Sequence, residues 1–395
     1  MKKRTAAVLA FIAVLLCLYG CDSILDGEKL TVTPHQEPIA TPSDSVIEVG
    51  TFDELKTEML GFVSNYEESG RIRAYNYDGN IQEDVDLACS QIMNDSPVGA
   101  YAVANMTGSS TKIVSHFQIE ISISYKVTKK QLNDIIPAST TRYLKSELQD
   151  TLSSYERSMT VQTKNIVLPE TDAASYVSEI YYANPRDIVM MPVTSVEIFP
   201  DHGLNRIIVF TFGYTKYEAI TLRTMEINLN RTVRKIAESV GGNNDGEILL
   251  ALAERLMEIT DYDTETASGG DYSNQNNAAT AYGALVNAQA VGEGYAMAYK
   301  ALCDELSIEC YVVLGILNGN QHAWNIVELE GHYYHIDVSM CDTTGISSAF
   351  LLNDTDMEKT YSWEKSKHKP CNGPLVYTSN GEIISTDANE NTSNS

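Results

Sequence analysis

Apolar residues in the first half of the chain recur at helical spacing in two separate places. The segment Thr51-Phe-Asp-Glu54 matches a capping box, the polar pattern that opens a helix, and an apolar face follows it. Adding 89 to each residue number of that face gives a second face with the same spacing. The first face consists of Leu55, Met59, Val63 and Tyr66, and the second of Leu144, Leu148, Leu152 and Tyr155.

The same offset relates two alternating segments further along the chain. Every second residue is apolar in both, which predicts half-buried strands. Because one offset holds over a helix and a distant strand, we predict two copies of a small α/β module, residues 51–139 and 140–229. Two unrelated amphipathic patterns are the alternative. The strands carry Ile119, Ile121, Ile123 and Tyr125 in the first copy, and Ile208, Phe210, Phe212 and Tyr214 in the second.

The pattern changes after the second module and indicates a further domain over residues 245–378. Asp245 is the expected N-cap of a helix with one apolar face. A polar, glycine-containing loop over residues 264–277 is expected to be mobile, and the polar tail 379–395 is expected to be disordered. The helix face consists of Ile248, Leu252, Leu256 and Ile259.

The N-terminal segment predicts export and a lipid anchor. Three basic residues precede an apolar run over residues 6–19, which is typical of a signal peptide over residues 1–20 and too short for a membrane span. The sequence Leu18-Tyr-Gly-Cys21 resembles a bacterial lipobox, and this resemblance implies lipidation of Cys21; secretion without lipid is the alternative. Prolines and polar residues over 21–50 predict a tether. We therefore expect an exported protein, lipid-anchored at the outside of the cell membrane.

Charge and cysteine count narrow the possible functions. The net charge of −25 over 395 residues repels nucleic acid, so no nucleic-acid partner is expected. Five cysteines follow Cys21, an odd number that cannot all pair within one chain, and no Cys-x-x-Cys pair supports a structural zinc site. The chain has 23 tyrosines against 8 phenylalanines, which favours recognition of peptides or sugars by exposed rings.

Three segments of the last domain carry the candidate chemistry. They read Ala290-Val-Gly-Glu-Gly-Tyr-Ala, His322-Ala-Trp-Asn and Tyr334-His-Ile-Asp-Val. In this combination the chain resembles the bacterial transglutaminase-like family, whose fold is related to the papain-type cysteine proteases. The resemblance implies an α+β domain with a helix packed on an antiparallel sheet, and it places His322 and Asp337 at the family's histidine and aspartate positions. The family has a cysteine where this chain has Gly292.

Gly292 removes the nucleophile that this chemistry requires. Thiol acyl transfer needs a thiolate, a histidine, a carboxylate that orients the histidine, and donors for the oxyanion. A helix N-terminus lowers the pKa of a cysteine placed there, but glycine has no side chain to attack with. Glu293 is expected to point away, because adjacent helical residues do not share a face. Cys303 should lie about 16 Å along the helix axis, and Cys341 could approach only if the loop after Asp337 folds back.

His322 and Asp337 are expected on adjacent strands joined by a two-residue turn at Glu330-Gly331. In that register Asp337 faces Trp324, and His322 is diagonal to Asp337 on the same sheet face. A hydrogen bond between the His322 and Asp337 side chains is therefore expected.

The same face could also hold zinc through His322, His335 and Asp337. This spacing is equally that of the ordinary family sheet, so we expect neither a metal nor another cofactor. The candidate binding residues, expected to pack beside the site or line its groove, are Trp324, Tyr295 and Tyr282.

Three functions are compatible with these observations. The first is a pseudoenzyme, a surface lipoprotein whose groove binds a peptide, protein or cell-wall ligand without cleaving it. The second is an active amide hydrolase or peptidase in which His322 and Asp337 activate water, or in which Cys341 replaces the missing thiol. The third is a structural surface protein that binds through the tyrosine-rich modules. Loss of the nucleophile favours the first, because such a loss leaves only residual acceleration.

Overall fold

The computed structural model describes residues 47–166, 169–269 and 275–386. The chain divides into Met1–Glu48 and a compact unit, Val49–Ser395. Over its described residues, the second unit contains three larger sheets, two small ribbons and the helices around them.

Several predictions for the two ends of the chain lie outside the described residues. They are the signal peptide, the Cys21 lipid site, the tether up to residue 46 and the tail from residue 387. The strand β1 (Ile47–Val49) lies within the range 21–50 that the sequence predicts as a tether. Within the described ranges, no helix is both long and apolar enough to cross a membrane.

The first sheet is antiparallel, and the predicted capping box stands beside it. The strands β2 (Ser69–Ala74), β3 (Val103–Ile113) and β4 (His116–Tyr125) are ordered β2-β4-β3. The accompanying helices are α1 (Phe52–Ser64), α2 (Ile81–Asp95) and α3 (Pro97–Ala102). Thr51 Oγ1 accepts a hydrogen bond from Glu54 N at 3.3 Å, and Glu54 Oε2 accepts one from Thr51 N at 3.2 Å, so helix α1 begins where its capping pattern predicts.

The second sheet has four strands in the order β5-β6-β8-β7. The strand β5 runs parallel to β6, and the other neighbours are antiparallel. The strands are β5 (Ile136–Ala138), β6 (Ser158–Thr163), β7 (Val193–Phe199) and β8 (Arg206–Gly213). The helices are α4 (Lys129–Asn133), α5 (Thr141–Ser153), α6 (Glu170–Ala183) and α7 (Ala219–Ser239).

Equivalent elements of the two sheets are separated by the offset read from the sequence. The strands β2 and β6 start 89 residues apart, and α2 and α6 do so as well. The apolar faces of α1 and α5 are fully buried at Leu55, Met59, Val63, Leu144, Leu148 and Leu152. The rings of Tyr66 and Tyr125 stack at 4.1 Å, and Tyr155 and Tyr214, each 89 residues further on, pack edge to face at 5.9 Å. The duplication of one module stays a prediction, and α7 continues ten residues past residue 229, the predicted end of the second module.

The last region is built on a five-stranded antiparallel sheet in the order β14-β13-β12-β11-β15. Asn325 in the middle of this sheet donates a hydrogen bond to Ala296 O at 3.0 Å, which fixes the long helix α11 (Gly292–Glu305) against the sheet. The strands of this region are β9 (Asp261–Tyr262), β10 (Gln289–Ala290), β11 (Cys310–Leu317), β12 (Asn320–Leu329), β13 (His332–Ile336), β14 (Phe350–Leu352), β15 (Tyr361–Trp363), β16 (Leu375–Tyr377) and β17 (Ile383–Ser385).

Short helices surround α11 and complete the region. Tyr299 on α11 is fully buried and donates to Leu249 O of α8 at 2.8 Å, so the two helices share one core. The α-helices are α8 (Asp245–Ile259), α9 (Thr264–Ala267), α10 (Ala281–Leu285), α11 (Gly292–Glu305), α12 (Val338–Thr344) and α13 (Asp354–Met357). Three 3₁₀ turns cover Asn277–Ala279, Ile346–Ser348 and Lys365–Lys367.

The start of α8 differs from its prediction by one residue. Asn244, not Asp245, is the N-cap: its backbone is extended and its side chain accepts a hydrogen bond from Glu247 N at 2.9 Å. Asn and Asp cap helices about equally well, so composition could not separate them. The buried face is also rotated, because Leu249 and Ala253 lie inside with Leu252 and Leu256 while the predicted Ile248 and Ile259 are only partly buried.

Two segments predicted to lack structure contain regular elements. The expected mobile loop holds α9 and the 3₁₀ turn Asn277–Ala279, with residues 270–274 outside the described residues. The predicted disordered tail includes β17, which pairs with β16 in an antiparallel ribbon. Ile383 packs against the core, which explains why this short apolar segment is ordered although its surroundings are polar.

Candidate active site

Gly292 is the first residue of α11 and lies against the imidazole of His322. A Cβ atom on Gly292 would stand 2.5 Å from His322 Cε1 and 2.8 Å from Nδ1, closer than nonbonded atoms approach. The helix starts here because Val291, in extended conformation, donates to Ala278 O at 2.9 Å and turns the chain into α11. The histidine ring thus occupies the space at the helix N-terminus that a larger residue would fill.

His322 and Asp337 form a hydrogen bond of 2.7 Å between Nε2 and Oδ2, as expected from the sequence. They are brought together by the β12–β13 hairpin, whose turn residues Glu330 and Gly331 have φ values of +54° and +78°. Positive φ at both central residues is the geometry of a two-residue turn that matches strand twist. The last observed pair between these strands is Asn325 with Ile336, and extending it by one residue sets Trp324 opposite Asp337, as the predicted register does.

The Asp337 carboxylate is buried and receives four hydrogen bonds. Oδ2 accepts from His322 and from Tyr361 Oη at 2.7 Å, and Oδ1 accepts from Ser339 Oγ at 2.7 Å and Met340 N at 3.0 Å. Burial raises the pKa of Asp337, but these hydrogen bonds and the His322 ring outweigh burial and hold the pKa below its ordinary value. A charged carboxylate therefore orients His322.

Two of these partners were missed from the sequence. Ser339 is within reach because Asp337 is the N-cap of α12, and an Asp just before a helix is a recognisable cap signal. Tyr361 comes from β15, an edge strand that pairs with β11 on the side away from the β12–β13 hairpin. No local pattern connects Tyr361 to Asp337.

Glu293, the neighbour of Gly292, points away from His322, in agreement with its prediction. Its Oε1 accepts a hydrogen bond from Tyr182 on α6 at 2.8 Å, so it faces the second sheet's helices. Burial raises the pKa of Glu293 to about 7, and the Tyr182 hydroxyl only partly offsets that effect. Glu293 thus cannot serve as a nucleophile directed at the His322 side of the helix.

A cleft of about 640 Å³ opens beside His322. The His322 side chain is 10% exposed, so the ring is reachable from this cleft. Amides at Asn318, Asn320 and Gln321 and the Ser339 hydroxyl give the walls hydrogen-bonding groups suited to a peptide backbone. Apolar contact is available from other lining residues, namely Tyr262, Ala267, Leu317 and Met340.

The three predicted binding residues are distributed differently. Trp324 and Tyr295 are 0% and 1% exposed, which leaves their predicted binding roles without accessible surface. Trp324 packs edge to face on Tyr361 at 5.1 Å, and the Tyr295 hydroxyl lies 2.7 Å from Asp342 Oδ2. Tyr282 is partly buried against the core and does not line the cleft.

The cysteines nearest in sequence are not placed as nucleophiles. Cys341 is buried, its thiol donates to Ile346 O at 3.4 Å, and burial holds its pKa far above the ordinary value. Cys303 is fully buried on the later part of α11. A thiol must ionise to attack, and desolvation opposes this at both positions.

The residues of the alternative zinc set, His322, His335 and Asp337, engage different partners: His322 bonds to Asp337, and His335 pairs with Asp354. His335 Nε2 lies 2.9 Å from Asp354 Oδ1, with Cys371 nearby. Trp324 Nε1–H donates to His335 Nδ1 at 3.0 Å, so the proton of a neutral ring is on Nε2 and is donated to Asp354. That nitrogen has no lone pair for a metal, and the group is a hydrogen-bonded chain.

The comparisons with known proteins are distant. No family model and no curated protein matches this chain. Among solved structures, a crystal structure described as a TGase has 13% identity and a TM-score of 0.27, covering 55% of this chain and 60% of its own. A proposed cysteine protease from Cytophaga hutchinsonii has 14% identity and a TM-score of 0.24, and the similarity covers 37% of this chain and 62% of that chain.

A further solved structure, a proposed protease from Parabacteroides distasonis, has 9% identity and a TM-score of 0.22, covering 57% of this chain and 46% of that one. The neighbours are thus transglutaminase-like and cysteine-protease-like proteins at low TM-score, and the chain spans less than two thirds of each. Such similarities support no statement about the site. The functional argument therefore rests on the residues around Gly292.

Proposed function

We propose that this protein is a pseudoenzyme of transglutaminase-like type, which binds a peptide, protein or cell-wall ligand in the His322 cleft without cleaving it. The observation that carries the proposal is the contact between Gly292 and the His322 ring. A Cβ at Gly292 would stand 2.5 Å from the ring, so the imidazole fills the position from which a thiol would act. This close approach supports the proposal, because it leaves no room for a nucleophilic side chain at residue 292 unless the ring moves.

Chemistry without the nucleophile is expected to be very slow. Removing the nucleophile of a catalytic triad typically lowers kcat by about 10⁶, and what remains comes from binding and oxyanion stabilisation. The cleft keeps its polar walls and an accessible His322. These features suit recognition of an extended peptide better than turnover. Export and anchoring through Cys21 belong to the same proposal and rest on the N-terminal sequence.

One observation favours a second candidate, an amide hydrolase that uses water. Asp337 engages His322 Nε2, and Nδ1 has no hydrogen-bond partner among the described residues. Because Asp337 holds the ring through Nε2, the Nδ1 atom is suited to accept a proton from water, as a general base does. The two candidates differ in whether His322 is needed for turnover.

The decisive experiment compares the natural protein with Gly292→Cys and Gly292→Ala. We expect a thiol-alkylating probe at neutral pH to label Gly292→Cys alone, because a helix N-terminus and His322 favour the thiolate. Background labelling should be low, since burial raises the pKa of Cys89 to about 11 and of Cys371 to about 12. Turnover is read with a glutamine-donor peptide and a primary amine.

The matched Gly292→Ala variant separates crowding from chemistry. It places a Cβ against His322 without adding sulfur, so any loss of stability that it shares with Gly292→Cys measures displacement of the ring. The pseudoenzyme proposal requires that natural protein and Gly292→Ala both lack turnover. Turnover by the natural protein that His322→Ala abolishes would contradict it and support the hydrolase.

A further inference from the structure

We infer that the solvent-exposed face of helix α7 binds an anionic phospholipid surface. The helix, Ala219–Ser239, has 21 residues and is about 30 Å long at 1.5 Å per residue. One face packs into the core, with residues at intervals of three and four, as a single helix face requires. These buried residues are Leu222, Met225, Leu229, Val233 and Ile236. The opposite face is exposed to solvent from one end of the helix to the other.

The exposed face of α7 combines apolar and basic side chains. Ile220 and Ile227 are 72% and 59% exposed, although isoleucine is among the residue types most often buried. They are seven residues apart, so they lie two turns from each other on the same side of the helix. Exposed apolar residues in line with basic ones suit the boundary between lipid headgroups and acyl chains. The basic residues are Arg223, Arg231, Arg234 and Lys235.

The protein itself leaves these positive charges without an opposite charge. Arg231, Arg234 and Lys235 have no ion pair and no side-chain hydrogen bond within the part of the chain that the structure describes. Arg223 donates to the carbonyl oxygen of Ser154 at 3.0 Å, and a carbonyl oxygen is neutral. All four cations are therefore available to an anionic partner.

The charge of α7 is opposite in sign to that of the chain. The helix has four basic and two acidic residues, a formal charge of +2, whereas the whole chain has −25. Of the two acidic residues, Glu226 is partly buried and Glu238 is exposed, so the exposed face is more basic than the helix as a whole. At physiological salt, charges more than about 8 Å apart are largely screened. An anionic surface in contact with α7 thus responds mainly to this face.

The composition of the face favours lipid over a soluble polyanion. The phosphates of lipid headgroups attract the basic residues, and each basic residue near such a surface strengthens binding about fivefold. The acyl region below the headgroups accepts Ile220 and Ile227, which have no counterpart on a polyphosphate chain. Only a surface that is both anionic and apolar uses both kinds of side chain.

This inference goes beyond the proposed function. None of the residues that line the His322 cleft belongs to α7, so either proposal can fail while the other stands. The lipid anchor proposed at Cys21 would bring a membrane within reach of the protein. Contact through α7 would then orient the protein on that membrane.

A tryptophan on the exposed face tests the inference. The full-length Ile227→Trp protein is titrated with phosphatidylglycerol vesicles and, separately, with phosphatidylcholine vesicles, and its fluorescence is followed. We expect phosphatidylglycerol alone to cause a blue shift, together with quenching by brominated acyl chains. The shift should weaken as NaCl is raised from about 0.05 to about 0.5 M. The natural protein gives the background from Trp324 and Trp363.

Val114→Trp is the matched control for position. Val114 lies in the turn between β3 and β4 and is fully exposed. Its emission should not change with either lipid, even if the apolar N-terminal run attaches the chain to vesicles. Equal shifts at positions 114 and 227, no shift at position 227, or equal shifts there with both lipids would overturn the inference.

Charge variants of the Ile227→Trp protein test the basic residues. Arg231→Gln, Arg234→Gln and Lys235→Gln together should raise the phosphatidylglycerol concentration at half of the blue shift about 100-fold. All three side chains are exposed, so the fold should not be affected.

The control for charge changes three exposed basic residues on other elements to glutamine. It alters the net charge equally and should raise the required lipid concentration less than about twofold. Equal effects of the two triple variants would overturn the inference, because net charge alone would then govern binding. A blue shift with soluble polyphosphate but not with vesicles would also overturn it and assign the face to an anionic polymer. The control residues are Lys112 on β3, Lys129 on α4 and Arg142 on α5.

Discussion

Two acidic side chains lie on either side of the start of α11, Asp337 buried and Glu293 partly buried, and their pKa values move in opposite directions. Asp337 is 1% exposed and receives four hydrogen bonds, and its pKa lies below the ordinary value. Glu293 has one hydrogen bond, from Tyr182, and burial raises its pKa to about 7. Burial opposes charge at both sites, so the number of donors decides which carboxylate remains charged.

The dipole of helix α11 does not account for the difference in pKa between Asp337 and Glu293. Glu293 is in the first turn of α11, where the helix dipole favours a negative charge. Burial against α6 nevertheless outweighs this effect. The charged carboxylate is on the His322 side of the helix start, and the carboxylate that is readily neutralised is on the side of the second sheet.

Asp337→Asn should give the largest effect on the free energy of unfolding, because it removes the charge from the carboxylate that receives four hydrogen bonds. An amide has one acceptor oxygen, so its NH₂ group would face either the donors from His322 and Tyr361 or those from Ser339 and Met340. Leaving buried donors unpaired in this way should lower the free energy of unfolding by about 3–5 kcal/mol. Denaturant unfolding followed by circular dichroism measures the change.

The same substitution on the surface is the control. Asp150 on α5 is exposed, and Asp150→Asn should change stability by less than about 0.5 kcal/mol. Equal losses at the two positions would show that the four donors around Asp337 do not matter.

Glu293→Gln should give a smaller effect that depends on pH. The folded pKa of about 7 lies above the unfolded value near 4.5, so the folded state binds more protons between these values. The contribution of Glu293 to stability is therefore fully present below about pH 4.5 and is lost as pH rises through about 7. Relative to the natural protein, Glu293→Gln should gain about 1–3 kcal/mol between pH 4.5 and pH 8.

Unfolding curves at several pH values measure this gain, and Glu254→Gln on the exposed face of α8 is the control. A difference that does not change with pH would mean that Glu293 is as well solvated as a surface residue. The carboxylates of Asp337 and Glu293 would then differ in how far water reaches them and not only in their number of donors.

The sequence could predict the parts of this comparison that depend on local pattern. The hairpin turn at Glu330, the register of β12 and β13, and the hydrogen bond from His322 to Asp337 follow from strand alternation and turn chemistry. The orientation of Glu293 follows from helix geometry. Its partner and its raised pKa could not be predicted, because they depend on how α6 packs against α11.

Other features depend on contacts between distant segments. Trp324 was expected beside the site but lies inside the sheet's own core, because β15 brings Tyr361 and Trp363 over it. The position of the His322 ring against Gly292 is likewise a packing result.

Tyr361→Phe should give the smallest effect on the free energy of unfolding, because it removes only one of the four donors to Asp337. The ring keeps its packing on Trp324 at 5.1 Å, and only the hydroxyl that donates to Asp337 Oδ2 is lost. A hydrogen bond to a buried charged group contributes about 1.5 kcal/mol, so the free energy of unfolding should fall by about that much.

Tyr311→Phe is the matched control, because Tyr311 donates to Glu309 at 2.6 Å but is 39% exposed, and its loss should be under about 0.5 kcal/mol. If both variants lose the same amount, the donors around Asp337 are worth no more than surface hydrogen bonds, and the contrast with Glu293 must come from another source.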